Sequence, residues 1–132
     1  MSWDIMIFNS EQKIAFVEEI AEELFIPIDF NSIIEKHFDN ITGPDDYRKI
    51  NGKDFSINYG VDEKPTGCMM FNLYGENALF ELIRISKIYG WQIFDTGNGQ
   101  MIDLDHPEIN GYEDFQKYLQ HVLSNAPDKS EK

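Results

Sequence analysis

Apolar residues recur with two different periods along this chain, and turn-forming residues stand where the period changes. In one segment, Phe55, Ile57 and Tyr59 alternate with polar side chains, as expected for a half-buried strand. Other short runs are rich in β-branched and aromatic residues and end at Gly, Asn or Ser. Strands are therefore predicted at residues 3–8, 54–59, 68–74, 91–95 and 100–104, the second and third forming one hairpin and the last two another.

A period of 3.6 residues, typical of amphipathic helices, separates these strands. In the first helical segment, four glutamates lie opposite the apolar stripe until Pro27 prevents continuation. Ser32 and Glu35 have the spacing of a reciprocal capping box. Gly90 provides a C-terminal stop for the longest segment. Helices are therefore predicted at residues 14–25, from 32 to about 38, between 75 and 90, and at 112–123.

The resulting order is β-α-α-β-β-α-β-β-α. It predicts the α+β class: an antiparallel sheet of about five strands with helices packed mainly on one face. Residues 40–53 are rich in Gly, Pro, Asp and Asn and are predicted to be an exposed loop. Residues 1–125 are expected to form a single domain, and residues 126–132, which lack periodicity, a disordered tail.

The chain carries 24 acidic and 11 basic residues, for a formal net charge of −13. The excess comes from the two ends, because residues 41–90 hold seven acids and six bases. Nucleic acids and anionic membranes are poor partners for such a surface, since both bind cationic side chains. A basic protein is the partner that this charge favours, and solubility alone is the competing explanation.

Cysteine usage and the N-terminus bear on the compartment. Cys68 is the single cysteine, so neither an intrachain disulfide nor a cysteine zinc site is expected. The first residues, Met-Ser-Trp-Asp, carry no basic stretch ahead of a long apolar run, as a secretory signal would. The expected cellular location is the cytoplasm.

Catalytic signatures are missing from the sequence. There is no phosphate-binding loop of the P-loop type, no nucleophile elbow and no His-Glu-x-x-His pair. His37, His106 and His121 stand apart from any partner motif, which favours structural roles. The sequence therefore predicts a protein that is not an enzyme and needs no cofactor.

One acidic cluster keeps a metal-dependent alternative open. Asp95, Asp103, Asp105 and Glu108 lie within fourteen residues together with His106. Oxygen-rich loops of this kind can hold calcium or magnesium. The match to a calcium loop is poor, since the positions of the turn glycine and the bidentate glutamate are filled by Gln and His. Turn chemistry and an alternating strand explain the same residues.

Aromatic residues that stand near acids are the candidate anchors for a protein partner, because Tyr and Trp are favoured in interfaces. The proposed contact set combines loop acids with one tyrosine. It consists of Asp45, Asp46, Tyr47, Asp62, Glu63, Asp95, Asp103 and Asp105.

A resemblance adds to this composition-based interpretation. Residues 2–9 (Ser-Trp-Asp-Ile-Met-Ile-Phe-Asn), 52–57, 90–95 and 99–104 are similar to a family of small, largely uncharacterised bacterial proteins that resemble immunity proteins of polymorphic toxin systems. The resemblance implies an inhibitor that covers a basic toxin, for example a nuclease, without turnover. A metal-dependent domain using the 95–108 cluster and a non-catalytic structural or regulatory module are the alternatives.

Overall fold

The structure, a computed structural model, describes residues 2–44, 46–61 and 64–112. Within them one antiparallel sheet of seven strands carries two α-helices, as expected for the α+β class. The strands are β1 (Ser2–Phe8), β2 (Ile41–Thr42), β3 (Tyr47–Gly52), β4 (Phe55–Gly60), β5 (Cys68–Tyr74), β6 (Gln92–Asp95) and β7 (Gln100–Met101). The helices are α1 (Phe30–Glu35) and α2 (Glu76–Tyr89), and 3-10 turns occur at Val17–Glu19, Glu22–Leu24 and Pro107–Asn110.

The sheet order is β2-β3-β4-β5-β1-β6-β7, so the first strand lies inside the sheet between β5 and β6. Ile5 of β1 pairs with Phe71 on one side and with Asp95 on the other. Both predicted hairpins are present, β4 with β5 and β6 with β7. A central β1 brings the chain that leaves it, from residue 9 onward, to the middle of one sheet end.

One face of the sheet carries the core. Alternate residues of the central strands point to this face and are fully buried, as the period of two requires. They pack against buried residues of α2 and against Phe30 and Ile34 of α1. The sheet members include Ile5, Ile7, Ile57, Tyr59, Phe71, Leu73 and Ile93, and the α2 members include Leu79, Phe80, Leu82 and Ile83.

A polar network fixes α1 on this face. Tyr59 donates a hydrogen bond of 3.2 Å from its hydroxyl to Oε2 of Glu35. Nε of Arg48 lies 3.7 Å from the same oxygen. Burial, followed by the nearby Glu35 carboxylate, raises the pKa of Tyr59. The phenol therefore stays protonated as a donor that joins β4 to α1.

The first predicted helix, residues 14–25, is wrong. Two separate 3-10 turns occupy this segment, and Val17, a member of the predicted buried stripe, is exposed. On a helix, Glu18 would stand four residues from Glu22, and Glu19 would stand four residues from Glu23. Like charges at that spacing oppose helix formation, and no base of the segment compensates them.

The predicted loop at residues 40–53 is also wrong, because β2 and β3 both lie entirely within it. Ile50 is fully buried and pairs with Ile57 of β4. Gly43 and Pro44 belong to the β2–β3 connection, whereas Asn51 and Gly52 are the last residues of β3, and Asp54 takes a positive φ of 68° in the β3–β4 turn. These two strands raise the count from the predicted five to seven.

Of the other two predicted helices within the described residues, α2 has the predicted bounds, whereas α1 ends at Glu35, short of the predicted end near residue 38. α2 ends where Gly90 adopts a left-handed φ of 75°. α1 begins earlier than predicted, because Asp29 and not Ser32 is its N-cap. Asp29 accepts hydrogen bonds from the amide and the hydroxyl of Ser32, which hold the pKa of its carboxyl below the usual value. The predicted helix at 112–123 and the predicted tail at 126–132 lie outside the described residues, apart from Tyr112.

Candidate functional site

Most exposed acids of the described chain gather at one end of the sheet. This is the end where β1 and β4 finish and where β3, β5 and β6 begin. We call it the acidic end. Its carboxylates are Glu11, Glu18, Glu19, Glu22, Glu23, Asp29, Asp46, Asp103 and Asp105, and all of them are exposed.

The largest part of the acidic end is residues 9–29, which we call the acidic segment. It holds six carboxylates and one base, Lys13. Two 3-10 turns interrupt its otherwise irregular backbone. The segment therefore displays six negative charges with little local neutralisation.

The acidic segment is tied to the sheet at both of its ends. The amide of Asn9 donates to the carbonyl of Gly67 at 2.9 Å, and the amide of Ile26 donates to the carbonyl of Asn9 at 2.8 Å. Further along, Ile28 and Thr66 exchange backbone hydrogen bonds of 2.9 and 3.0 Å. These contacts close residues 9–26 into a loop over the start of β5.

The side-chain amide of Gln92 ties the same segment to β6. Its Oε1 accepts a 2.8 Å hydrogen bond from the amide of Ile14, and its Nε2 donates at 2.9 Å to the carbonyl of Gln12. Phe8 stacks on Phe25 with ring centroids 5.0 Å apart. The carboxylates are thus carried on a fastened frame.

Glu19 shapes the turn that carries Phe16. Its Oε1 accepts hydrogen bonds of 3.2 Å from the amides of Ala15 and Phe16. Phe16 is the N-cap of the 3-10 turn and Ala15 precedes it, so Glu19 joins the turn to the chain that enters it. The carboxylate therefore holds the backbone on which Phe16, 65% exposed, stands out from the surface.

The sequence-predicted contact residues occupy both sides of this end. Asp46 and Tyr47 lie at the start of β3, and Asp103 and Asp105 follow β7. β3 and β7 are five strand spacings apart in the sheet order, which at ~4.8 Å per spacing is roughly 24 Å. They share an end of the sheet without forming one cluster, and the acidic segment lies between them. Asp45, Asp62 and Glu63 lie outside the described residues.

Asp103 and Asp105 differ in what their carboxylates contact. Oδ1 of Asp103 accepts from the amides of Asp105 and His106 at 3.0 and 3.1 Å, so this acid shapes the turn. Oδ1 of Asp105 forms an ion pair of 2.9 Å with Nζ of Lys87. Lys87, first by its hydrogen bond and then by its charge, holds the pKa of Asp105 below the usual value.

Asp95 does not belong to the exposed surface. It is 1% exposed, and its carboxylate accepts hydrogen bonds from Gly97, from both the amide and the side chain of Asn98, and from the hydroxyl of Tyr112 at 2.8 Å. This acid stabilises the β6–β7 turn. We therefore correct the predicted contact set by removing Asp95, because a partner cannot reach a carboxylate buried under its own turn.

The metal-dependent alternative depended on the same cluster. Within the described residues, no group of three or more His, Cys, Asp or Glu side chains is arranged to hold a metal ion. The carboxylates of Asp95 and Asp103 bind turn amides, that of Asp105 pairs with Lys87, and Glu108 lies 3.4 Å from Nδ1 of His106. The cluster members thus face different partners.

A cavity of about 580 Å³ opens beside the acidic segment. Its buried walls include Ile14, Trp91 and Ile102, and its exposed rim includes Glu11, Lys13, Ala15, Lys87, Asp103 and Asp105. The volume is within the range of ligand-binding pockets. Apolar walls, two buried serines (Ser10 and Ser86) and a charged rim therefore lie next to Phe16.

Sequence reasoning missed the acidic segment as a site because it assigned those glutamates to the outer side of a helix. The paired glutamates at 18–19 and 22–23 were the available signal, since four acids without a base disfavour the helix itself. The cavity had no such signal. Its walls come from three separate stretches of chain, within residues 10–15, 86–92 and 101–105, that only the folded sheet brings together.

Comparison with known proteins gives no relative from which a function could be carried over. No family model, no curated protein and no solved structure matches the chain. Among the described residues, no helix is both long enough and apolar enough to cross a membrane.

Proposed function

We propose that this chain is an immunity-type inhibitor: it binds a basic toxin domain through the acidic end and blocks the toxin's active surface without turnover. The acidic segment carries the proposal, because it displays six exposed carboxylates beside one lysine on a fastened backbone. Asp46 and Tyr47 on one side, and Asp103 and Asp105 on the other, extend the contact area. No step of this function requires a cofactor or a catalytic residue.

The charge supplies the encounter. A surface of one sign attracts a partner of the other sign and can raise association rates by about 10- to 10³-fold at low salt. Toxins that cleave nucleic acids are cationic where they bind phosphates. An acidic inhibitor competes for that same surface, so recognition and inhibition occur at one site.

A kinetic experiment tests the proposal. The probe is the C-terminal domain of the protein encoded directly upstream, since an inhibitor is expected beside its toxin gene. We expect the association rate constant to fall by about tenfold or more between about 50 and 300 mM salt, because screening shortens the reach of the charges. We also expect added chain to abolish the toxic activity of the probe.

Matched variants locate the surface. Glu22→Gln together with Glu23→Gln removes two charges from the acidic end and should lower the association rate several-fold at low salt. Asp39→Asn with Asp54→Asn removes two exposed charges away from it and should leave that rate nearly unchanged. An association rate that ignores salt and responds equally to both double variants contradicts recognition by the acidic end.

A further inference from the structure

The acidic end carries an apolar projection. Phe16 is 65% exposed, although burial of its ring would be the usual outcome for a phenylalanine. Val17 next to it is 37% exposed. The side chain is not on a loosely held loop, because Glu19 accepts hydrogen bonds from the amides of Phe16 and Ala15. A backbone that is already held in place loses little conformational freedom when a partner covers the ring it carries.

The cavity lies at the foot of this projection. Ala15, the residue before Phe16, belongs to its rim, and Ile14, two residues back, is a buried wall. Trp91 and Ile102, at 2% and 6% exposure, complete its apolar walls, and the buried side chains of Ser10 and Ser86 add two hydroxyl groups to the lining. A projecting aromatic group and a recess therefore occur side by side on one surface. Interfaces place their strongest contacts in such paired anchors and pockets.

The charged residues at the rim of the cavity favour a particular kind of partner segment. Glu11, Asp103 and Asp105 provide three carboxylates, and Lys13 and Lys87 provide two ammonium groups. Lys87 is already paired with Asp105 at 2.9 Å. The adjoining acidic segment adds further negative charge without another base. The surroundings favour an apolar side chain flanked by Lys or Arg.

We infer that Phe16 and the adjacent cavity form the anchoring contact with a basic protein: Phe16 enters an apolar pocket of the partner, and an apolar side chain of the partner enters the cavity. This inference rests on the proposed function. The carboxylates of the acidic end govern how fast the two proteins meet. The paired apolar contacts govern how slowly they separate, since most differences between related complexes lie in dissociation.

Two substitutions test the two halves of the contact against the same upstream-encoded toxin domain. Phe16→Ala removes the projection, and Ala15→Trp places a bulky ring over the cavity from an exposed position. We expect each to raise the dissociation rate constant about tenfold or more, while the association rate constant changes less than about twofold. Glu19→Ala should raise the dissociation rate constant as well. Glu19→Gln keeps an acceptor oxygen and should return this rate constant to the value of the parent.

Ile109 provides the matched control, because it is 72% exposed and belongs neither to the acidic segment nor to the cavity. Ile109→Ala and Ile109→Trp should leave both rate constants unchanged. Circular dichroism and thermal melts of every variant establish that the fold is retained. Suppose that Glu22→Gln with Glu23→Gln slows association, but that Phe16→Ala and Ala15→Trp dissociate from the partner like the parent. The anchoring contact is then refuted, and the proposed function stands. If the parent does not bind the domain at all, both proposals fall.

Discussion

Ser86 shows how one hydroxyl can work against stability. It is fully buried on α2, and its Oγ has no hydrogen-bond partner within the part of the chain that the structure describes. Burying a polar group without a hydrogen-bond partner costs free energy, and replacing that group by an apolar one removes the cost. Alanine also has a higher helix propensity than serine.

We therefore expect Ser86→Ala to raise the free energy of unfolding by about 1 kcal/mol. Chemical denaturation with urea measures this directly. A matched Ser32→Ala change should act in the opposite direction, because the Ser32 hydroxyl donates to Asp29 at the start of α1. A loss of stability in Ser86→Ala would mean that the hydroxyl is satisfied in solution.

His37 gives the stability a dependence on pH. Burial lowers its pKa, and the charges of Arg84 and Lys36 lower it further, against a smaller opposing effect of Glu81. Its Nε2 lies 2.9 Å from the hydroxyl of Tyr89. The unfolded chain therefore takes up the proton at a higher pH than the folded chain does, since an unperturbed histidine titrates near 6.5.

The contribution of His37 to stability is complete above about pH 6.5 and is lost as the pH falls towards the lowered pKa. Denaturation measured across this window should show the decrease. His37→Gln should remove this part of the pH dependence. His106→Gln, which replaces the other histidine within the described residues, should leave it in place. Direct titration of the His37 ring by NMR provides the pKa itself, and a value at or above 6.5 contradicts this account.

At the scale of elements, α2 depends on how it ends. Gly90 adopts a φ of 75°, and the backbone amides of Gly90 and Trp91 both donate to the carbonyl of Ser86. A Cβ at Gly90 would meet no atom within 4 Å, so space does not restrict the position. The left-handed backbone conformation does, because L-residues with a Cβ adopt it at a cost.

We expect Gly90→Ala to lower the free energy of unfolding by about 1 kcal/mol. Gly90→Asn should cost less, since asparagine tolerates this conformation better. Equal stabilities for glycine, asparagine and alanine at this position would show that the helix ends in another way. Urea denaturation of the three proteins decides the matter.

Elements were predictable where local signals agreed with tertiary structure. Gly75 and Gly90 delimit α2, and the alternation around Ile57 defines β4. β2 and β3 were missed because Gly43, Pro44 and other turn residues outweigh the few apolar positions near them. Ile50 reveals its strand only through its pairing with Ile57, a contact that no local pattern contains.

The sequence predicted that the candidate site would be acidic, but it did not predict which acidic residues would form it. An excess of carboxylates is visible in the sequence, but their exposure is not. Asp95 and Asp103 look equivalent in the sequence, yet one is sealed under a turn and the other is exposed. The difference depends on the Thr-Gly-Asn-Gly turn folding back over Asp95, with Tyr112 donating from further along the chain.

At the scale of the molecule, the net charge of −13 acts on the folded state itself. Compact folding brings like charges together, and this repulsion lowers stability. We expect the melting temperature to rise as sodium chloride is added from low ionic strength, because salt screens the exposed carboxylates. Potassium chloride should act equally. Glu22→Lys with Glu23→Lys should reduce the salt effect, and a melting temperature independent of salt would contradict significant repulsion.

The antiparallel order of the sheet also leaves a second end, opposite the carboxylates. The β6–β7 turn, residues 96–99, and the β3–β4 turn around Lys53 lie there and are exposed. A fluorophore, an affinity handle or a surface linker placed in either turn would leave the side with Phe16 facing solvent. Immobilisation through these positions thus gives a sensor whose orientation the fold itself sets.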